Sequence, residues 1–251
     1  MNKISAVIIT LNEGRHIARC IRSLQSVADE VIVVDSYSTD DTVDIAEELG
    51  ARVYLHPFDG YGGQKNIAVS YARYDYILNL DADETLSAEL TGSILEAKGK
   101  KMHDAYFCNR LTNYCGKWIR HCGWYPDRLI RLWHKDQAAI SGDKVHERLV
   151  AAPGTDTGFL RGDLLHYSYE TISDHIKKIE QYSGIGARND VARGKRCSIF
   201  RLWFLPKWIF FTIYILRLGI LDGYYGYVIS KNSAFAAFAK YLKIRELSAK
   251  K

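Results

Sequence analysis

The chain of 251 residues lacks several signatures that would have assigned it at a glance. No G-x-G-x-x-G follows its first apolar run, where the sequence reads Thr10-Leu11-Asn12-Glu13-Gly14, and no P-loop lysine motif occurs. Both motifs use glycines to bring backbone N–H groups against a phosphate, so dinucleotide and P-loop readings lose their support. The five cysteines form an odd set, and the spacing of Cys108, Cys115 and Cys122 fits no common zinc pattern. Reduced thiols in a cytosolic setting are expected. Lys3 is the only charged side chain before the apolar residues 4–11, with no small-residue cleavage site after them, which predicts a first strand and not a signal peptide. The apolar run at 208–216 is far short of the ~20 residues that a membrane-spanning helix needs, so a span by this run alone is not expected.

What the chain does contain is organised around residues 76–84, Tyr-Ile-Leu-Asn-Leu-Asp-Ala-Asp-Glu, an apolar run that delivers three carboxylates to its C-terminal end. If the chain stays extended there, Asp81 and Asp83 share a face while Ala82 turns inward. Two such carboxylates suit a hard divalent cation, Mg²⁺ or Mn²⁺, that takes its other ligands from water and substrate phosphates. An acidic turn closing a buried strand would read the same way, and the surrounding pattern must decide.

That pattern alternates. Residues 4–11 read as a strand, Asn12-Glu13-Gly14 open a helix with Ile17, Cys20, Ile21, Leu24 and Val27 on one face, and the β-branched residues 31–34 give a second strand ending at Asp35. A second helix carries Val43, Ala46 and Leu49 inward, residues 51–55 give a third strand, and a helix over 64–72 precedes the strand that ends in Asp81. Alternation of this kind predicts an α/β fold, a mostly parallel doubly wound sheet with helices on both faces and its ligands beyond the strands' carboxyl ends. Residues 104–170 are expected to form strands and loops, with Trp124, Arg128 and Arg131 placed to stack on sugars or clamp phosphates. Within 144–149, His146 and Glu147 stand side by side between apolar residues and are candidates for acid/base work.

The C-terminal part differs. A polar helix is expected over 173–193, and residues 200–251 then hold nine Lys/Arg against two Asp/Glu, interleaved with aromatics. Such a tail points to a membrane surface and away from nucleic acid, with a helix lying in the interface, although a buried helical hairpin would share the pattern. A short amphipathic helix is expected over 234–247.

Four motifs in order, residues 7–13 (Val-Ile-Ile-Thr-Leu-Asn-Glu), 31–40 (Val-Ile-Val-Val-Asp-Ser-x-Ser-Thr-Asp), 62–68 (Gly-x-x-x-Asn-x-Ala) and 80–84 (Leu-Asp-Ala-Asp-Glu), resemble the family 2 glycosyltransferases of the GT-A fold. The tract 145–147 (Val-His-Glu), the stretch from His166 to Tyr182 and residues 221–226 resemble the subgroup that extends lipopolysaccharide core or related surface glycans. The resemblance implies a nucleotide-sugar donor, a UDP-sugar, held by Thr10, Asn12, Glu13, Asp35, Lys65, Asn66 and Asp81. It further implies a cation on Asp83 with Asp81, Glu147 as the base with His146 beside it, and inversion at the anomeric carbon. The acceptor would be a glycan or glycolipid met at the inner face of the cell membrane. No Gln-x-x-Arg-Trp motif of processive synthases occurs, so a single addition is expected. The expected organisation is a catalytic domain over 1–195, with a nucleotide-sugar half at 1–100 and an acceptor-side half at 101–170, followed by a membrane-associating tail at 196–251. Two rival readings stay open: a non-catalytic glycan-binding scaffold on the same fold, and a metal-dependent nucleotidyltransferase, which would want a Gly-rich, Arg-containing loop after the first strand.

Overall fold

The computed structural model describes residues 2–141 and 148–249. Strand β1 (Ile4–Thr10) forms where Ile4, Ala6, Val7 and Ile8 lose all solvent contact, the signature of a strand covered on both faces. Helix α1 (Ile17–Leu24) buries Ile17, Cys20, Ile21 and Leu24 at helical spacing, as expected. Next come β2 (Glu30–Asp35), α2 (Thr42–Glu48), β3 (Arg52–Leu55), α3 (Tyr61–Ser70) and β4 (Tyr76–Asp81). These strands lie parallel in the order β3-β2-β1-β4. Helix α3 starts three residues before the expected position, because Gly60, at φ +84° and ψ 158°, takes a turn conformation that a side chain would resist.

The strand carrying the acidic triplet ends sooner than an extended reading supposed. Ala82 and Asp83 form the turn into β5 (Glu84–Leu86), so Asp81 and Asp83 do not share one strand face. Ala82 is buried, as expected. Helix α4 (Ala88–Lys98) is capped by Ser87, whose hydroxyl accepts from the Leu90 N–H and also from the Asp163 N–H.

Beyond α4 the sheet is extended by antiparallel strands. They are β6 (Ala105–Tyr114), β7 (Lys117–Ile119), β8 (Asp127–His134) and β11 (Thr157–Tyr169); between the last two, β9 (Ala138–Ser141) and β10 (Arg148–Ala151) pair as a separate hairpin. The full order is β3-β2-β1-β4-β8-β6-β11-β5, with β7 on β6. Two of these pairings matter for the site. β8 runs antiparallel to β4 with Leu132 opposite Leu78, and β11 runs antiparallel to β5 with His166 opposite Glu84.

The chain divides into two compact units, Met1–Arg110 with Asp127–His166, and Leu111–Pro126 with Tyr167–Lys251. The expected boundary at 195/196 falls inside the second unit. There α5 (Ile172–Ala192), started by a capping box between Thr171 and Asp174, packs on α7 (Gly223–Ala249). The short helix expected over 234–247 is the last part of this 27-residue helix. Helix α6 (Ile199–Phe211) packs on α7 as well and winds on through a π-helical turn, Thr212–Leu216. The tail is not too short to span, contrary to the expectation from its apolar run: helix continues over Ile199–Leu216, 18 residues long and apolar enough to cross a membrane by length and composition alone. The apolar run by itself begins only at Trp208, because Arg201 and Lys207 interrupt the composition without interrupting the helix.

Ile8 sits in the middle of the first unit's core with no exposure, packed among Ile17, Ile21 and Leu80. Ile8→Ala is expected to lower stability by about 2–5 kcal/mol, read from the midpoint of urea unfolding at unchanged slope.

Candidate active site

Three strand ends meet at one sheet edge. Thr10 and Asp35, paired in register, end β1 and β2. Thr10 Oγ1 donates to Asp35 Oδ2 at 2.7 Å, and Ser38 donates to the same carboxylate through its N–H, at 2.7 Å, and through its hydroxyl. Asp35 is fully buried, so its oxygens shape the loop that follows β2 and do not face the open edge. Asn12, at a left-handed φ of 56°, locks onto that loop: its carboxamide oxygen accepts from the Thr39 N–H at 2.8 Å and its own N–H donates to Ser38 Oγ at 2.7 Å. The Glu13 N–H donates to Thr42 Oγ1 at 2.8 Å. The four expected donor-side residues Thr10, Asn12, Glu13 and Asp35 thus form one hydrogen-bonded turn, with Asn12 exposed and Asp35 hidden.

Helix α3 delivers Lys65 from the side. Its neighbour Gln64 is buried and ties the start of the helix to the same loops, donating to Ser36 Oγ at 3.0 Å and to the His56 carbonyl at 3.1 Å. Lys65 Nζ lies 2.8 Å from Asp81 Oδ1. The other oxygen of Asp81 accepts from Arg131 Nη2 at 3.0 Å, and the same guanidinium nitrogen reaches Glu84 Oε1 at 2.6 Å while Nη1 reaches Asn79 Oδ1 at 3.0 Å. Glu84 has no exposure; its second oxygen accepts from the Asp81 N–H at 3.0 Å. Arg131 is itself buried, which differs from the expected acceptor-side position: it braces the acidic triplet from behind.

Burial raises the cost of charge on Asp81, yet Arg131 and Lys65 outweigh it and hold this carboxyl well below the usual carboxylate range. Glu84 moves the other way, because burial pushes its pKa up and the Asp81 charge adds to the push against the pull of Arg131. Arg131 is held charged by Glu84 and Asp81 despite its burial.

Asp83 has different company. Its Oδ2 lies 3.2 Å from His166 Nε2, the ring that β11 brings alongside by pairing with β5. His166 Nδ1 is buried with no hydrogen-bond partner among the described residues, so the polar chemistry of the ring is directed at Asp83. A divalent cation with ligands at 2.0–2.1 Å in octahedral array has adjacent ligand atoms about 3 Å apart, and the oxygen and nitrogen of this pair stand at that spacing. The carboxylate oxygen suits Mg²⁺ or Mn²⁺, and the imidazole nitrogen favours the softer of the two, Mn²⁺. The described residues contain no group of three or more His, Cys, Asp or Glu able to hold a metal. The pair therefore fits a cation that completes its shell from a substrate's phosphates and water, the usual arrangement for Mg²⁺. Asp81, already neutralised by two cationic side chains, is less suited to that work than Asp83.

The remaining expected residues are dispersed. Asn66 Nδ2 donates to the Ile140 carbonyl at 3.0 Å and so pins β9. Arg128 is exposed, its guanidinium 5.4 Å from the Phe159 ring centroid. Trp124 belongs to the second unit, half-buried in an aromatic cluster with Tyr114, Tyr169 and His175. His146 and Glu147 lie outside the described residues. Gln64, Glu84 and His166 were not singled out from the sequence. Glu84 had a signal, as the third acid of the triplet; His166 opens the tract 166–182 that carries the subgroup resemblance, but only the β5–β11 register makes it a neighbour of Asp83.

A family profile, Glycosyl transferase family 2, matches residues 5–150, more than half of the chain. The chain belongs to glycosyltransferase family 2. Relatives of this family 2 glycosyltransferase include an uncharacterized glycosyltransferase of Rickettsia typhi, 38% identical over 260 residues, spanning 100% of this chain and 89% of that one. Another is the lipopolysaccharide core biosynthesis glycosyltransferase LpsC of Rhizobium meliloti, 31% identical over 268 residues, spanning 99% of this chain and 94% of that one. Among solved structures, glucosyl-3-phosphoglycerate synthase of Mycobacterium tuberculosis, crystallised with Mn²⁺ and UDP, is similar at a TM-score of 0.36 and 25% identity over 45% of this chain and 44% of that one.

Two outcomes follow from the buried charges. Arg131→Met, which leaves buried Glu84 only the longer contact to Arg110 Nη1 at 3.5 Å, is expected to cost about 3–5 kcal/mol in urea unfolding at neutral pH. For Asp81 the folded pKa lies below the unfolded value, so its contribution is complete above the unfolded pKa of about 3.9 and is lost as pH falls towards the folded value. The stability gap between wild type and Asp81→Asn is expected to stay constant from neutral pH down to about pH 5 and to shrink below it, read from urea midpoints across that range.

Proposed function

We propose that this family 2 glycosyltransferase moves one sugar from a UDP-linked donor to a hydroxyl of a lipid-linked or lipopolysaccharide-type glycan, with inversion, in the presence of Mg²⁺ or Mn²⁺. The observation that carries the reading is the Asp83–His166 pair, set beside the Lys65–Asp81–Arg131 clamp at the carboxyl edge of the parallel strands. The relative named as a lipopolysaccharide core glycosyltransferase supports the acceptor class, and the basic aromatic tail supports a position at the inner face of the cell membrane.

Asp83 and His166 would hold the cation, with Asp81 kept in place behind them by its two cationic partners. When bound, the cation takes up the negative charge that develops on the diphosphate leaving group. The turn containing Asn12 and Glu13 and the loop shaped by Asp35 receive the base and ribose of the donor. Glu147, with His146 beside it, accepts the proton of the acceptor hydroxyl as that oxygen attacks the anomeric carbon and the bond from that carbon to the diphosphate oxygen breaks. One displacement of this kind inverts the anomeric configuration. Asp83 pairs with a neutral-capable nitrogen donor and with no lysine or arginine among the described residues, whereas Asp81 is already balanced by Lys65 and Arg131.

Calorimetry with UDP, GDP and CMP, with and without Mn²⁺, tests the donor side. UDP is expected to bind more tightly with Mn²⁺, and Asp83→Ala or His166→Ala to weaken the metal-dependent part by at least about tenfold. Absence of nucleotide binding under every condition would sink the reading and favour the scaffold. On the chemical side, Glu147→Gln is expected to leave UDP binding intact while lowering transfer by about 10²–10⁴-fold, measured as UDP released in the presence of acceptor.

A further inference from the structure

We infer that α6 with its π-helical extension lies in the plane of an anionic lipid bilayer, immersed on one face and not threaded across. This deepens the membrane-side part of the function proposed above. The immersed face is a ladder of rings: Phe200 and Phe204 stack at 5.6 Å, Phe204 and Trp208 at 6.5 Å, and Trp208 and Phe211 at 5.8 Å between centroids. Residues 200, 204, 208 and 211 repeat at helical spacing, and these four side chains are 74, 52, 48 and 43% exposed. A contiguous exposed apolar strip of this size marks an interaction site.

Three observations choose the in-plane lipid surface. First, the opposite side of the helix is occupied. Phe210 meets Tyr227 of α7 edge-on at 5.8 Å, with Lys231 Nζ 4.8 Å from the Phe210 ring, and α7 in turn packs on α5. A spanning α6 would carry α7 into hydrocarbon along with Lys231, Lys240, Lys243 and Arg245, a set of charges the bilayer core does not accept. Second, Lys207 stands at the middle of Ile199–Leu216, so a perpendicular helix would place its ammonium at the bilayer centre. Lying flat, the same stem snorkels to the headgroups, with Nζ 6.0 Å from the Trp203 ring centroid. Third, residues 191–221 hold Arg193, Lys195, Arg196, Arg201, Lys207 and Arg217 and no acidic residue. That charge complements anionic headgroups and would oppose pairing with a second copy of the same face.

The test uses the full chain, vesicles and no donor, so it can fail independently of the transferase reading. Flotation with phosphatidylglycerol/phosphatidylcholine vesicles is expected, weakened about tenfold or more with phosphatidylcholine alone and by the double variant Phe204→Ser, Trp208→Ser. Both positions are exposed, and an unchanged far-ultraviolet circular dichroism spectrum confirms that the double variant folds. The fluorescence lost in Trp208→Phe is expected to be quenched more by lipids brominated near the headgroup than by lipids brominated near the chain end. Failure to float with anionic vesicles would overturn the inference. So would stronger quenching at the chain end, which signals a spanning helix, or a solution dimer that the double variant splits, which assigns the face to a second copy.

Discussion

The arrangement of the site depends on one buried guanidinium. Arg131 comes from β8, and its two terminal nitrogens reach three residues of the acidic segment, Asn79, Asp81 and Glu84. Because Asn79 and Asp81 end β4 and Glu84 opens β5, the guanidinium fixes the turn between those strands from behind. Burying a charge is costly unless it is paired with good geometry, and here the acids and the base each meet the other's cost. The turn that results holds Ala82 inward and leaves Asp83 facing His166.

The same electrostatics divide the labour between two carboxylates that look equivalent in the sequence. Asp81, though its side chain is 31% exposed, is held between Lys65 and Arg131, so its charge is balanced by the protein's own cations. Among the described residues Asp83 is paired with an imidazole and with no lysine or arginine. Under the proposed function, a cation arriving with a diphosphate would meet Asp83 and the His166 nitrogen next to a carboxylate that Lys65 and Arg131 already balance. The opposite logic governs the second unit, where α6 lies outermost on α7 and offers solvent its aromatic ladder. Packing one side of an all-round apolar helix leaves the other side without a partner, and the basic residues around it select what that partner can be.

Much of the first unit was legible because its signals are local. The apolar run of β1, the helical spacing of Ile17, Cys20, Ile21 and Leu24, and the β-branched β2 each report burial over a few residues, and each was recovered in the structure. The polar loops at the ends of β1, β2 and β4 were legible for the same reason. Where reading failed, non-local pairing was responsible. Extending β4 through Asp83 assumed that the strand continues, whereas the turn into β5 is set by Glu84 folding back to the Asp81 N–H and by Arg131 from a distant strand. The tail helix was undercounted because Arg201 and Lys207 break an apolar run without breaking a helix whose charged ends can stay solvated.

By itself, the sequence determined the order of strands and helices in the first unit, the polar loops at the strand ends, the acidic triplet and the basic aromatic character of the tail, since each is written in neighbouring residues. The tertiary structure alone decided that His166 belongs beside Asp83, that Arg131 is a brace and that Asp35 is buried. Those facts rest on strand order and register across large separations in the chain. A one-residue shift of β11 against β5 would turn His166 to the other face of the sheet with no change in any local pattern.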